Sequence, residues 1–212
     1  MLTLGVDVAR GGWIAVAVED GRFVDAVLER RFPALLERFR AAVVVGVDVP
    51  IGLPEPGSRR RADVEARGLV GARRSSVFFT PSRIALEAPT YREARAVAPG
   101  TSAQGWALRT AILDAGRVDD ARVREVHPEV SFAVLAGQPL AFAKRTWNGH
   151  RERIRLLRRV GITIPDRLDA GLAAADDVLD AAIAAWTATR IAREEHITFP
   201  ADAQPGEPVI HA

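Results

Sequence analysis

Acidic residues in this 212-residue chain fall where local patterning predicts the ends of strands and the flank of a helix. Asp7 closes the apolar run that starts at Leu2, and Asp48 closes Val43-Val44-Val45-Gly46-Val47. Asp176-Asp177-Val178-Leu179-Asp180 lies within an alanine-rich segment, and Glu129 follows His127-Pro128. Carboxylates gathered from separate elements hold hard divalent ions through oxygen. Two such ions roughly 4 Å apart serve both the attacking and the leaving oxygen of an in-line displacement at phosphorus. The chemistry this set predicts is therefore phosphodiester hydrolysis with Mg2+ or Mn2+. Asp7, Asp48, Asp180 and either Asp176 or Asp177 are the candidate ligands, with Glu129 as a fourth carboxylate. Any one of these acids alone reads as a turn or helix cap; their coincidence at neighbouring ends carries the prediction. His127 reads as a hydrogen-bonded, half-buried imidazole rather than a ligand.

Composition narrows the metal. The chain has no cysteine, so disulfides and thiolate sites are excluded and oxygen or imidazole must bind any ion. The first residues carry no basic leader and no apolar run approaches the roughly 20 residues of a membrane helix, so a cytoplasmic protein with no membrane partner is expected. The net charge is only +2. Local arginine clusters are therefore more informative than the total.

The elements that would position these acids can be read in order. Apolar runs over 2–8, 13–18 and 22–28 are separated by short glycine-bearing links, and Asp20-Gly21 is a hairpin signal. A helix over 32–40 and a doubly buried strand over 43–48 follow. This βββαβ start predicts an α/β protein with a mixed sheet, with the strand ending in Asp7 beside the strand ending in Asp48. Prolines break up residues 50–118, read as a helical insertion or cap on a single 1–212 domain, with short helices at 59–68, 90–97 and 104–116. A strand over 122–127, helices at 130–136 and 149–159, and a long helix over 169–193 complete the core, before an irregular tail over 200–208. The long helix has an apolar stripe through Leu172, Leu179, Ile183 and Trp186, which puts Asp176 and Asp180 at its border.

Two basic groups flank this pattern. Arg59, Arg60, Arg61, Arg67, Arg73, Arg74 and Arg83, with Ser75 and Ser76, follow the Asp48 loop. Guanidinium forks bind phosphate oxygens, so Arg61, Arg67, Ser76 and Arg83 are candidates to contact substrate phosphate. Lys144, the only lysine, begins the second group with Arg145, Arg151, Arg153 and Arg155. It is a candidate catalytic residue that would contact the scissile phosphate. Trp147 beside this group is the best candidate for stacking on a base.

The chain resembles the domain-of-unknown-function family 429, described as predicted ribonuclease H-like nucleases. The likeness runs through Gly5-Val6-Asp7-Val8-Ala9 with Gly12-Trp13, Val47-Asp48-Val49-Pro50-Ile51-Gly52-Leu53-Pro54, and Arg61-Ala62-Asp63 with Arg67. It continues through Ser75-Ser76-Val77-Phe78 with Pro81 and Arg83, His127-Pro128-Glu129-Val130-Ser131-Phe132, Lys144 and Asp176-Asp177-Val178-Leu179-Asp180-Ala181. The resemblance implies a ribonuclease H-like fold and action on nucleic acid. More distantly the chain resembles Holliday-junction resolvases, whose last helix carries two Asp three apart. That spacing maps onto Asp177 and Asp180, and the same likeness implies a possible homodimer. Two rival functions share such a fold: a non-catalytic nucleic-acid or protein-binding module, and a sugar-kinase-like phosphotransferase. The second lacks its glycine-rich phosphate turn after Asp48.

Overall fold

The computed structural model describes residues 1–170 and 172–212. The meander is present as β1 (Leu2–Ala9), β2 (Gly12–Glu19) and β3 (Arg22–Glu29). Asp20 and Gly21, at the β2–β3 turn, both take positive φ, the conformation that lets a two-residue hairpin follow the twist of its strands. Helix α1 (Phe32–Arg38) leads to β4 (Val44–Val47). Between β4 and β5 lie α2 (Arg61–Leu69), a 3-10 turn (Gly71–Ser76), α3 (Arg83–Leu86), α4 (Tyr91–Val97), α5 (Ala103–Ala107) and α6 (Arg109–Ala115). β5 (Val123–Glu125) is followed by α7 (Pro128–Ala136), α8 (Trp147–Arg159) and α9 (Ala175–Ala192), then β6 (Thr198–Phe199) and β7 (Ile210–His211).

The main sheet runs β3-β2-β1-β4-β5. β1 pairs antiparallel with β2 and parallel with β4, which in turn pairs parallel with β5. This order and polarity is that of a ribonuclease H-like sheet, flanked by helices on both faces. One face packs Ile14, Val16 and Val18 against Leu156, Leu157, Leu179 and Ile183. The other packs Leu4, Val6, Ala15 and Ala17 against Phe32, Leu35 and Ile112.

Contact between β1 and α9 sets the site. Residues 3, 5 and 7 of a strand share one face. Thr3 Oγ1 lies 2.7 Å from Thr189 Oγ1. A Cβ added to Gly5 would lie 2.0 Å from the Ala181 carbonyl oxygen and 2.1 Å from the Ala185 nitrogen. Two strand residues advance about 6.6 Å and four helical residues about 6 Å, so 189, 185 and 181 step along 3, 5 and 7. Asp180, the neighbour of Ala181, is thereby brought to Asp7. Gly46 does the same for β4: a Cβ there would lie 2.8 Å from the Ala184 oxygen.

Several boundaries differ from expectation. The long helix starts at Ala175, so the expected 169–174 turn is absent, with Gly171 outside the described residues. Leu172, assigned to its apolar stripe, precedes the helix and is exposed. The helix expected over 104–116 breaks at Leu108 into α5 and α6. The 200–208 tail is irregular as expected, but the residues on either side of it pair as the small β6–β7 sheet, and His211 bridges to Val126 beside β5. Such two-residue strands carry no periodicity.

Because backbone stands where the Gly5 side chain would go, Gly5→Ala must move α9 off the sheet. The expected loss is at least about 1–3 kcal/mol, read as a lower urea midpoint.

Candidate metal centre

β1 and β4 place the first two acids. Val6 pairs with Val47, and the Asp48 amide donates to the Val6 carbonyl at 2.9 Å. Asp7 and Asp48 therefore stand abreast just past the paired register. Asp180, one turn inside α9, completes a triad in which one carboxylate oxygen from each residue lies within 4.8 Å of the others. Asp7 and Asp180 are buried and Asp48 is half-buried.

Burial and mutual repulsion raise these acids. Burial pushes Asp7 well above the usual carboxylate range, and Asp48 and Asp180 push it further. Burial, with Glu125 and Asp177, raises Asp48 to about 7, against the pull of Lys144. Burial also raises Asp180 to about 7, with Lys144 again opposing and Asp48 adding. The Lys144 ammonium donates to Asp180 and lies 3.9 Å from Asp176. Burial works against its charge, yet Asp180, Asp7 and Asp48 hold its pKa above the ordinary lysine value.

The first turn of α9 separates the other two acids. Asp177 lines the same cleft as the triad, of roughly 310 Å³, and burial with Asp176 raises its pKa. Asp176 turns outward to Arg145 Nε at 3.1 Å. Asp177 thus neighbours the triad at the spacing the resolvase likeness implied, without joining the close group.

Glu129 lines the cleft but does not join the triad. Arg73 Nε donates to one of its oxygens at 2.8 Å, and Arg153 Nη2 to the other at 2.6 Å. Arg153 is fully buried and also donates to the Phe142 and Gly149 carbonyls. At Gly149 an added Cβ would lie 2.0 Å from the Ala143 oxygen. Glu129 is thus the counter-charge that lets Arg153 clamp the 142–143 backbone, and so Lys144, onto α8. This contact between distant segments left no local signal.

The expected phosphate contacts are largely engaged elsewhere. Arg61 pairs at the surface with Glu65, Asp202 and Glu207. Arg67 donates to the Arg74 and Val77 carbonyls and stacks on Phe79. Arg83 pairs with Glu87 and lines a different cavity. Ser76 alone of the four lines the cleft, and its hydroxyl donates to the Arg73 carbonyl at 2.7 Å. A second buried group, Arg60 with Asp63 and Glu125, was not foreseen as a unit. Arg60 donates to both carboxylates and to the Ile51 and Gly52 carbonyls, while Glu125 accepts from the Ile51 amide at 2.6 Å. It fixes the loop that leaves Asp48. The i,i+3 spacing of Arg60 and Asp63 was its one visible sign. His127 Nε2 lies 3.3 Å from the Ser76 carbonyl, and burial lowers its pKa.

The fold and site define an α/β protein with ribonuclease H-like sheet order and a buried acidic triad able to hold a metal ion. The chain matches the family described as "Protein of unknown function (DUF429)" over residues 5–205 and belongs to it. No curated protein and no solved structure gives a match. No helix among the described residues is long and apolar enough to cross a membrane.

Two outcomes follow. Acids whose pKa is higher folded than unfolded give stability that is complete below about pH 4 and is lost as pH rises through about 7. The metal-free melting temperature should fall over that window by on the order of 15 °C, and millimolar Mn2+ should abolish the fall. Glu129→Gln leaves the buried Arg153 without its counter-charge, so the expected loss is about 3–5 kcal/mol in urea unfolding. A ligand at the metal site would instead give a metal-free protein no less stable than wild type.

Proposed function

We propose that this protein is a divalent-metal-dependent nuclease that hydrolyses phosphodiester bonds in nucleic acid, with Asp7, Asp48 and Asp180 holding Mg2+ or Mn2+. The observation that carries the reading is the triad itself: three carboxylates from two strand ends and a helix, within 4.8 Å and raised in pKa. Like charges at that separation repel by at least roughly 3 kcal/mol per pair at an effective dielectric of about 20. A cation relieves this and displaces the protons. The oxygen-only donor set fits a hard ion. When bound, such an ion supplies Lewis acidity toward phosphate and a more acidic water.

The chain's own residues supply the rest. Asp7 is held by the Val8 amide, which donates to Oδ1 at 2.6 Å, so its second oxygen is free for a ligand. Lys144 sets a positive charge beside Asp180, where it can meet charge developing on a phosphoryl oxygen. That ammonium favours one ion plus a lysine over two ions; a two-ion form requires Lys144 to withdraw and Asp177 to enter. Glu129 acts through Arg153 as a positioning residue.

Mn2+ titration calorimetry and a cleavage assay on DNA and RNA test the reading. One Mn2+ per chain and metal-dependent cleavage are expected. Asp7→Asn should abolish cleavage, by at least about a hundredfold, while melting above room temperature. Full cleavage by Asp7→Asn would refute the proposal. Nucleic-acid binding without metal uptake would favour a non-catalytic binding module, for which Lys144 already neutralises Asp180.

A further inference from the structure

The exposed face of α8 gathers four arginines beside an open aromatic ring. Trp147, Arg151, Arg155, Arg158 and Arg159 recur every three to four residues, so they share one side of the helix. The opposite side buries Leu156, Leu157 and Arg153. Trp147 is 74% exposed, the most exposed aromatic side chain among the described residues. Arg151 lies over its ring, 5.6 Å from the centroid. Among the described residues, none of the four exposed arginines is in an ion pair.

This face adjoins the acidic site. Trp147 shares an open depression with Lys144, Arg145 and Asp176, and Lys144 reaches from it to Asp180. The Gly149 and Arg153 contacts that clamp the 142–143 backbone to α8 make the lysine and the tryptophan parts of one rigid unit.

We infer that the Trp147–arginine face of α8 is a track for single-stranded nucleic acid leading to the carboxylate triad. This rests on the nuclease reading for its direction but not for its binding chemistry. The eight helical steps from Arg151 to Arg159 span about 12 Å, the length of about two to three nucleotides of an extended single strand, within the site size of single-strand binders. Unpaired guanidinium groups bind phosphate oxygens. An open tryptophan face stacks on a base, and only an unpaired strand offers bases freely. The face carries no apolar stripe beyond Trp147, so it lacks the buried area that seats a helix on a membrane.

Binding of a short labelled oligothymidylate to the whole chain in EDTA at low salt tests the track by anisotropy and tryptophan quenching. The other three tryptophans are buried or half-buried, so quenching reports on Trp147. Trp147→Ala should weaken binding on the order of tenfold and remove most quenching, while Trp147→Phe keeps most of the affinity. Replacing Arg151 and Arg155 together by Glu should weaken binding further and flatten its salt dependence. Unchanged affinity in Trp147→Ala, no binding at all, or equally tight binding to phosphatidylserine vesicles would overturn the track. If the strand binds through Trp147 but Mn2+ gives no cleavage, the nuclease reading falls and the track stands. If Mn2+ gives cleavage and Trp147→Ala binds and cleaves as wild type does, the track falls and the nuclease reading stands.

Discussion

The distance of closest approach between α9 and the sheet governs the site. A helix packed on a sheet through ordinary apolar side chains stands roughly 10 Å away, and carboxylates from the two layers then meet only through long side chains. Here Gly5 and Gly46 remove the sheet's side chains, and Ala181, Ala184 and Ala185 reduce the helix to backbone and methyls. Aspartate is a short acid. It reaches across only because the layers touch, at the point where the β1–β4 pairing ends. The glycines and alanines thus shape the acidic site as much as the acids do, although none could bind an ion.

The same closeness creates an electrostatic demand that the fold meets locally. Three acids share a space too small for three negative charges, and their pKa values rise until protons or cations balance them. Each further buried acid nearby is ion-paired: Glu129 with Arg153 and Arg73, and Glu125 and Asp63 both with Arg60. Breaking such a pair strands a buried charge, so these networks fix backbone. One holds the loop after Asp48 and the other the loop before Lys144. The triad is the one group there left with a single amine for three carboxylates.

The sheet was legible because its signals are local. A period of two, glycine-bearing turns and a β-branched run give the meander, β4 and the adjacency of Asp7 and Asp48. The candidate site was legible in part for the same reason: strand ends and the acid spacing on α9 are visible along the chain. What could not be read was partner choice. Glu129 looks like any other acid in sequence, and only the arrival of Arg153 from 24 residues away and Arg73 from 56 removes it from the close group. Arg61, Arg67 and Arg83 look like a phosphate cluster, but they face Asp202 and Glu207, backbone carbonyls and Glu87 respectively. The start of α9 was misplaced because Ala170, Leu172, Ala173 and Ala174 are good helix formers, and propensity alone does not locate a cap.

The single lysine shows why residue type matters within a charge class. The chain uses arginine elsewhere for its positive charge, and each buried arginine forks between carboxylates and carbonyls in a fixed plane. A guanidinium so placed at residue 144 would tie down two oxygens and lock the triad shut. An ammonium is a compact point charge on a flexible stem. It neutralises Asp180 while leaving other oxygens of the triad unclaimed, and it can swing aside without breaking a fork. An ammonium offsets part of the triad's charge and would leave oxygens open to an ion, which a forked guanidinium would not.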